Sequence, residues 1–155
     1  MREGIRWIRP RRACCQHCGI THVLLPAWAV PRRRDSAEVI GAALLDHARG
    51  LGHRRIAARF GRPPGTVRGW LRTFAARAEQ VSASARRWTH AIDTQALDQI
   101  HPSGSPAVDA VDAVDAVGSM ARARRLRLGM SASPWELAVA LTGLLYGRPR
   151  DPPGF

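Results

Sequence analysis

Arg54, Arg55, Arg59, Arg62, Arg68 and Arg72 fall within one short stretch that contains no acidic residue. A guanidinium is a planar fork of donors that pairs with phosphate oxygens or with the two acceptors on the edge of guanine, so such a cluster is chemistry suited to a nucleic acid. A second constellation is Cys15-Gln16-His17-Cys18-Gly19, in which Cys15 and Cys18 supply two thiolate corners of a tetrahedral zinc site. No second Cys-x-x-Cys pair follows, and His17, His22 and Cys14 are close neighbours that are hard to arrange around one ion. Zinc is therefore the only cofactor the sequence raises, at an incomplete site. A redox role is weaker still, because no thioredoxin-like βαβ pattern surrounds the motif.

The composition narrows the partners. Of 155 residues, 24 are basic and 12 acidic, giving a formal net charge of +12. The sequence pI of 11.6 exceeds the value of about 9 that marks an electrostatic footprint for nucleic acid. No lysine occurs; arginine in its place reflects GC-rich coding, but that bias does not explain a twofold excess of bases over acids. The amino terminus has no apolar stretch of secretory type. The runs VLLPAWAV and ELAVALTGLLY are shorter than the roughly 20 residues that span a bilayer. Three cysteines crowded together suit a reduced compartment, and a cytoplasmic protein without membrane contact is expected.

The elements that must position the arginines can be read from spacing. Residues 1–34 are interrupted by Pro10, Pro26 and Pro31 and predict a short β-like arm around the cysteines. Asp35 or Ser36 can cap a helix carrying Val39, Ile40, Ala43, Leu44 and Ala48 on one side, with Gly50 as its left-handed end. A second helix holds Ile56, the small Ala57 and Phe60; Gly61 follows where a tight turn needs positive φ. Pro64 then opens a third helix, with Val67, Trp70 and Leu71 facing inward and further helix possible through Trp88 and Ile92.

The expected fold is mainly α, a tri-helical helix-turn-helix core over residues 35–95 with the β-like arm before it. A linker over 96–104, a C-terminal helix pair over 105–147 and a disordered tail over 148–155 complete it. The Val-Asp-Ala repeat walks Asp109, Asp112 and Asp115 around a helix instead of converging them, which disfavours a metal site, and Gly118 is a candidate break. Ser133 and Glu136 have capping-box spacing ahead of a last helix running through Leu145.

With Val67, Trp70 and Leu71 inward, the opposite side of the third helix carries Pro64, Gly65, Thr66, Arg68, Gly69 and Arg72. A recognition helix puts its first turns against base edges while neighbouring cations hold phosphates. Arg68 and Arg72 are the candidates for base contacts, and Arg54, Arg55, Arg59 and Arg62 for phosphates. Gly65 and Gly69 would let the helix lie close to DNA. Arg62 stands directly after the turn glycine, where a small apolar residue is usual, and tests how tight that turn can be.

The stretch RRIAARFGRPPGTVRGWLRTF resembles the helix-turn-helix of bacterial regulators, sigma-like factors and transposases. The order of the cysteine arm, DSAEVIGAALL, this motif and SPWELAVALTG is similar to that of small helix-turn-helix proteins of high-GC bacteria associated with insertion sequences. The resemblance implies a zinc-ribbon-like arm, truncated here because the earlier cysteine pair is absent, ahead of DNA-binding helices. The chain has neither the length nor the strands for a transposase catalytic sheet, and shows no hydrolase triad or phosphate-cradling glycine loop. Two non-enzymatic readings follow. In one the protein binds duplex DNA, as a regulator or as the recognition component of a mobile element. In the other it docks a transposase or other partner through helices around Trp88 and Trp135, and either way it is able to form a homodimer.

Overall fold

The computed structural model describes residues 6–94, 106–129, 132–146 and 149–152. The elements are β1 (Arg11–Cys14), β2 (Thr21–Leu24), α1 (Ala37–Ala48), α2 (His53–Phe60), α3 (Pro64–Ala75), α4 (Ala78–Ile92), α5 (Pro106–Leu128) and α6 (Pro134–Leu137), the last continued by a π-helical stretch over Ala138–Thr142. The expected mainly helical fold with a small β arm is thus the observed one. The expected linker over 96–104 lies outside the described residues.

The arm is a two-stranded antiparallel hairpin in which Arg11 faces Leu24 and Cys14 faces Thr21. Both strands are exposed along their length, so the pairing itself holds them together. Behind the hairpin the chain is tied to the helices: Ala37 N–H donates to the Trp28 carbonyl at 2.8 Å, and the Arg6 guanidinium lies 5.4 Å from the centre of the Trp28 ring.

Helix α1 begins where a cap is available. The Ser36 hydroxyl accepts the Val39 N–H, which satisfies one of the donors a helix start leaves over. Gly50, at φ 92°, turns the chain out of α1 toward α2. Val39, Ile40, Ala43 and Leu44 of α1 meet Ile56 and Ala57 of α2 and Val67, Trp70, Leu71 and Phe74 of α3 in one continuous core. That core runs on through Val81, Val117, Met120, Leu144 and Leu145.

Three expectations about helix extent are corrected. The third helix does not run on to Ile92: it stops at Ala75, and Arg77 at φ −123° and ψ 3° re-aims the chain so that α4 starts on a new axis. The bend lets α4 bury Ala78, Val81 and Ala85 along α5, its main partner. Gly118 does not break α5, which is continuous from 106 to 128. Finally, the last helix keeps α geometry for one turn only. The Ser133 and Glu136 capping box forms as expected, but the wholly buried Thr142 hydroxyl donates to the Ala138 carbonyl at 2.6 Å and accepts from Leu144 N–H. A side chain bonding back to the preceding turn widens it, and Gly143 at φ 70° ends it.

The tail expected to be disordered from residue 148 is seated where it is described. Arg150 N–H donates to the Leu141 carbonyl, Trp88 Nε1–H donates to the Arg150 carbonyl at 2.8 Å, and Pro152 is buried. Backbone groups of the tail thus complete hydrogen bonds that α4 and the π-helical stretch leave open.

The C-terminal segment docks on α1 at one point of close approach. A Cβ built on Gly41 would lie 1.9 Å from Trp135 Cδ2, so the indole ring occupies the space any side chain would need. Gly41→Ala is expected to destabilise the protein by about 1–3 kcal/mol through overpacking, measured by urea unfolding. A variant pairing it with Trp135→Leu should recover part of that loss.

Candidate nucleic-acid interface

The geometry of the motif is set at the joint between α2 and α3. Gly61 adopts φ 62° and ψ 41°, the left-handed cap, and Arg62 N–H closes the turn on the Ala57 carbonyl at 2.9 Å. Pro63 caps α3 and Pro64 is its first residue, so neither removes a hydrogen bond the helix needs. Ala57, 1% exposed, is the small residue over which the two helices cross. Arg62 does not loosen this turn, because its side chain folds back over the end of α2, with Nη1 donating to the Phe60 carbonyl at 3.5 Å. Its Nε donates to Asp35 Oδ1 at 2.5 Å, across to the segment before α1.

On α3, Val67, Trp70, Leu71 and Phe74 point into the core. Pro64, Gly65, Arg68 and Arg72 are exposed, with Thr66 and Gly69 at intermediate exposure. Residues 65, 68, 69 and 72 recur at helical spacing, so they form one outward stripe. Neither Arg68 nor Arg72 has an ion-pair partner among the described residues. A Cβ at Gly65 or Gly69 would meet no other part of the fold within 4 Å among the described residues. These glycines are therefore not demanded by packing within the protein.

The four arginines assigned to phosphates separate into two kinds. Arg54 and Arg55, in the first turn of α2, are exposed. Arg59 and Arg62 are each held by a carboxylate: Arg59 Nη1 lies 2.8 Å from Asp46 Oδ2, joining α2 to α1, and Arg62 is bound to Asp35. The two aspartates therefore decide which cations of the motif are committed within the fold, and the expectation from spacing did not include them. Their signal was available in retrospect only as position: Asp35 stands just before α1, and Asp46 is an acid inside the range of its apolar stripe, between Leu44 and Ala48. Spacing also passed over Arg32, Arg33 and Arg34, which the fold places beside the first turn of α3.

The cysteine knuckle is folded but incomplete. Gly19 at φ 69° closes it, with Gly19 N–H donating to the Cys15 carbonyl at 2.8 Å and Cys15 N–H to the Ile20 carbonyl at 2.9 Å. The Cys18 backbone N–H and thiol and the His17 N–H donate to the Cys15 sulfur, and these contacts hold its pKa below the usual thiol value. Cys14 turns away and donates its thiol hydrogen to the Gly19 carbonyl at 3.4 Å. Among the described residues no three His, Cys, Asp or Glu side chains converge as a metal site. Cys15 and Cys18 thus offer two ligands, which do not by themselves fit the four-coordinate site a structural zinc requires.

Residues 36–82 match the family model of a homeodomain-like domain. The match spans α1 to α3 and the first turn of α4, the same residues that build the crossing and the exposed stripe. No curated protein and no solved structure matches the chain. The homeodomain-like match and the observed turn together support a helix-turn-helix over residues 36–82, and with it DNA binding in general. Among the described residues no helix is long and apolar enough to cross a membrane.

Three outcomes follow for the free protein. Gly69→Ala should raise stability by about 0.5–1 kcal/mol, since alanine suits a helix interior better and meets no neighbour here. Arg59→Ala should lower it by about 1–2 kcal/mol, below the cost of breaking a fully buried pair because Arg59 is 61% exposed. Both are read from denaturant midpoints. Cys15 should be alkylated quickly at neutral pH because its lowered pKa favours the thiolate, and Cys18→Ala should slow it only partly, since the backbone donors remain.

Proposed function

We propose, from a homeodomain-like helix-turn-helix as premise, that this protein is a non-catalytic, sequence-specific binder of double-stranded DNA, acting in the cytoplasm as a regulator or as the recognition component of a mobile element. The observation that carries this reading is the stripe on α3: two uncommitted arginines one helical turn apart, beside two glycines that the chain's own packing does not require. Arg68 and Arg72 reach base edges in the major groove, where a guanidinium bonds both acceptors of guanine. Gly65 and Gly69 allow the helix axis to approach the bases, and Thr66 adds a hydroxyl near its start. Arg54 and Arg55 meet backbone phosphates. Arg59 and Arg62, bound to Asp46 and Asp35, chiefly fix α2 and the turn in place, and contact phosphate only with whatever donor capacity those pairs leave.

The association with insertion sequences rests on the resemblance of the motif and its flanks. Docking of a transposase through the C-terminal helices is less well supported, because Trp88 and Trp135 are both spent inside the fold. Trp88 bonds the Arg150 carbonyl and Trp135 fills the space above Gly41.

The test is selection of random duplex DNA by the purified chain. An enriched motif is expected, with Arg68→Ala and Arg72→Ala each costing about 1–3 kcal/mol on that motif and relaxing preference at one position. Arg55→Ala should weaken binding to every sequence alike. Gly69→Ala, stabilising in the free protein, should weaken DNA binding. No enrichment by the wild-type chain would remove the reading in favour of a protein partner.

A further inference from the structure

Between the Arg32–Arg34 segment and the first turn of α3 lies an open cleft, lined by Arg32, Arg33, Arg34 and Arg62 and closed by Thr66 and Trp70. Four arginines line it with a single acid, Asp35, which is already bound to Arg62. Arg33 is also occupied, with its guanidinium 4.5 Å from the centre of the Tyr146 ring. Arg32 and Arg34 are exposed and have no ion-pair partner among the described residues. The segment is anchored rather than loose: Val30 is 2% exposed, and Arg33 N–H donates to its carbonyl at 3.1 Å. Trp70 is wholly buried, and its indole Nε1–H has no acceptor among the described residues. The cleft is thus a concentration of positive charge on a fixed frame, and it opens next to the stripe that carries Arg68.

The geometry points to a seat for one backbone phosphate of the bound duplex, held by Arg32 and Arg34 beside the major groove that α3 enters. This rests on the DNA-binding reading and deepens it, adding a contact that comes from the segment before α1. The seat fixes the register of α3 on the duplex and carries no base preference of its own. Asp35 and Arg62 position the rim: their pairing keeps the carboxylate from repelling the arriving phosphate.

The test uses the full chain with Arg32→Gly and Arg34→Gln together. Glycine suits the φ of 62° that Arg32 adopts, so the variant removes two cations without straining the turn. Affinity is measured across a range of salt on the selected duplex and on an unrelated one. Each neutralised phosphate contributes about 0.9 to the slope of log affinity against log salt. The variant should therefore lose about 0.9 from that slope, weaken on both duplexes by the same factor and keep the wild-type motif. Arg122→Gln with Arg125→Gln, which removes the same charge from exposed positions on α5, should leave the slope nearly unchanged.

An unchanged slope in the cleft variant, with wild type still selecting its motif, would overturn the seat and leave the DNA reading standing. Loss of the motif without a change in slope would assign these arginines to base edges and also overturn it, as would an equal effect of the α5 variant. At matched ionic strength, inorganic phosphate should weaken the wild type no more than chloride does. A phosphate-specific loss absent from the variant would mark a free-anion site instead. A wild-type chain that binds no duplex at any salt would end both proposals.

Discussion

The crossing of α2 and α3 is the constraint on which the interface depends. It requires a residue able to take positive φ at the joint, a residue without bulk where the axes cross, and a second helix that starts without borrowing a donor from the first. Gly61, Ala57 and the Pro63–Pro64 pair meet these needs in turn. Once the joint is set, rotation of α3 about its own axis is fixed by Val67, Trp70, Leu71 and Phe74, which are all buried. The outward direction of residues 65, 68, 69 and 72 is then a consequence of helical geometry. Everything the protein presents to a partner along α3 follows from which side its hydrophobic residues occupy.

Electrostatics then divides a surplus of identical cations into different duties. Every basic side chain is arginine, so residue type cannot distinguish a structural cation from one available to a ligand. The distinction is made by neighbours. Asp46 takes Arg59, Asp35 takes Arg62, and aromatic faces take Arg6 and Arg33. A protein with few acids has placed two of them where they tie α2 and the turn to α1 and its lead-in. The arginines of the motif that they do not reach, Arg54, Arg55, Arg68 and Arg72, are exposed.

Much of this was legible in the sequence because the deciding signals are local. The Ser36 cap, the Gly61 turn, Pro64 at the head of α3 and the Ser133 capping box all rest on residues within a few positions of each other. What escaped was decided by contacts between distant residues. Nothing near Ala76 announces a helix break: the bend at Arg77 arises because α4 must lie along α5, more than 20 residues away in the chain. The pairing of Arg62 with Asp35 spans 27 positions, so spacing within the motif could show Arg62 as an oddity but not where its side chain goes. The seating of residues 149–152 depends on Trp88 and Leu141 in the same way. In the arm, Cys15 and Cys18 showed a knuckle from spacing alone, and the fold brings them no further ligand among the described residues.

The contact between Gly41 and Trp135 has an evolutionary consequence. Two positions 94 residues apart share one fixed volume, so neither can change size alone. In relatives of this chain a larger residue at the first position should arrive only with a smaller one at the second. The helices that follow the motif would then be inherited with it as a unit, and recombination that exchanged one without the other would leave either a collision or a hole on the back of α1.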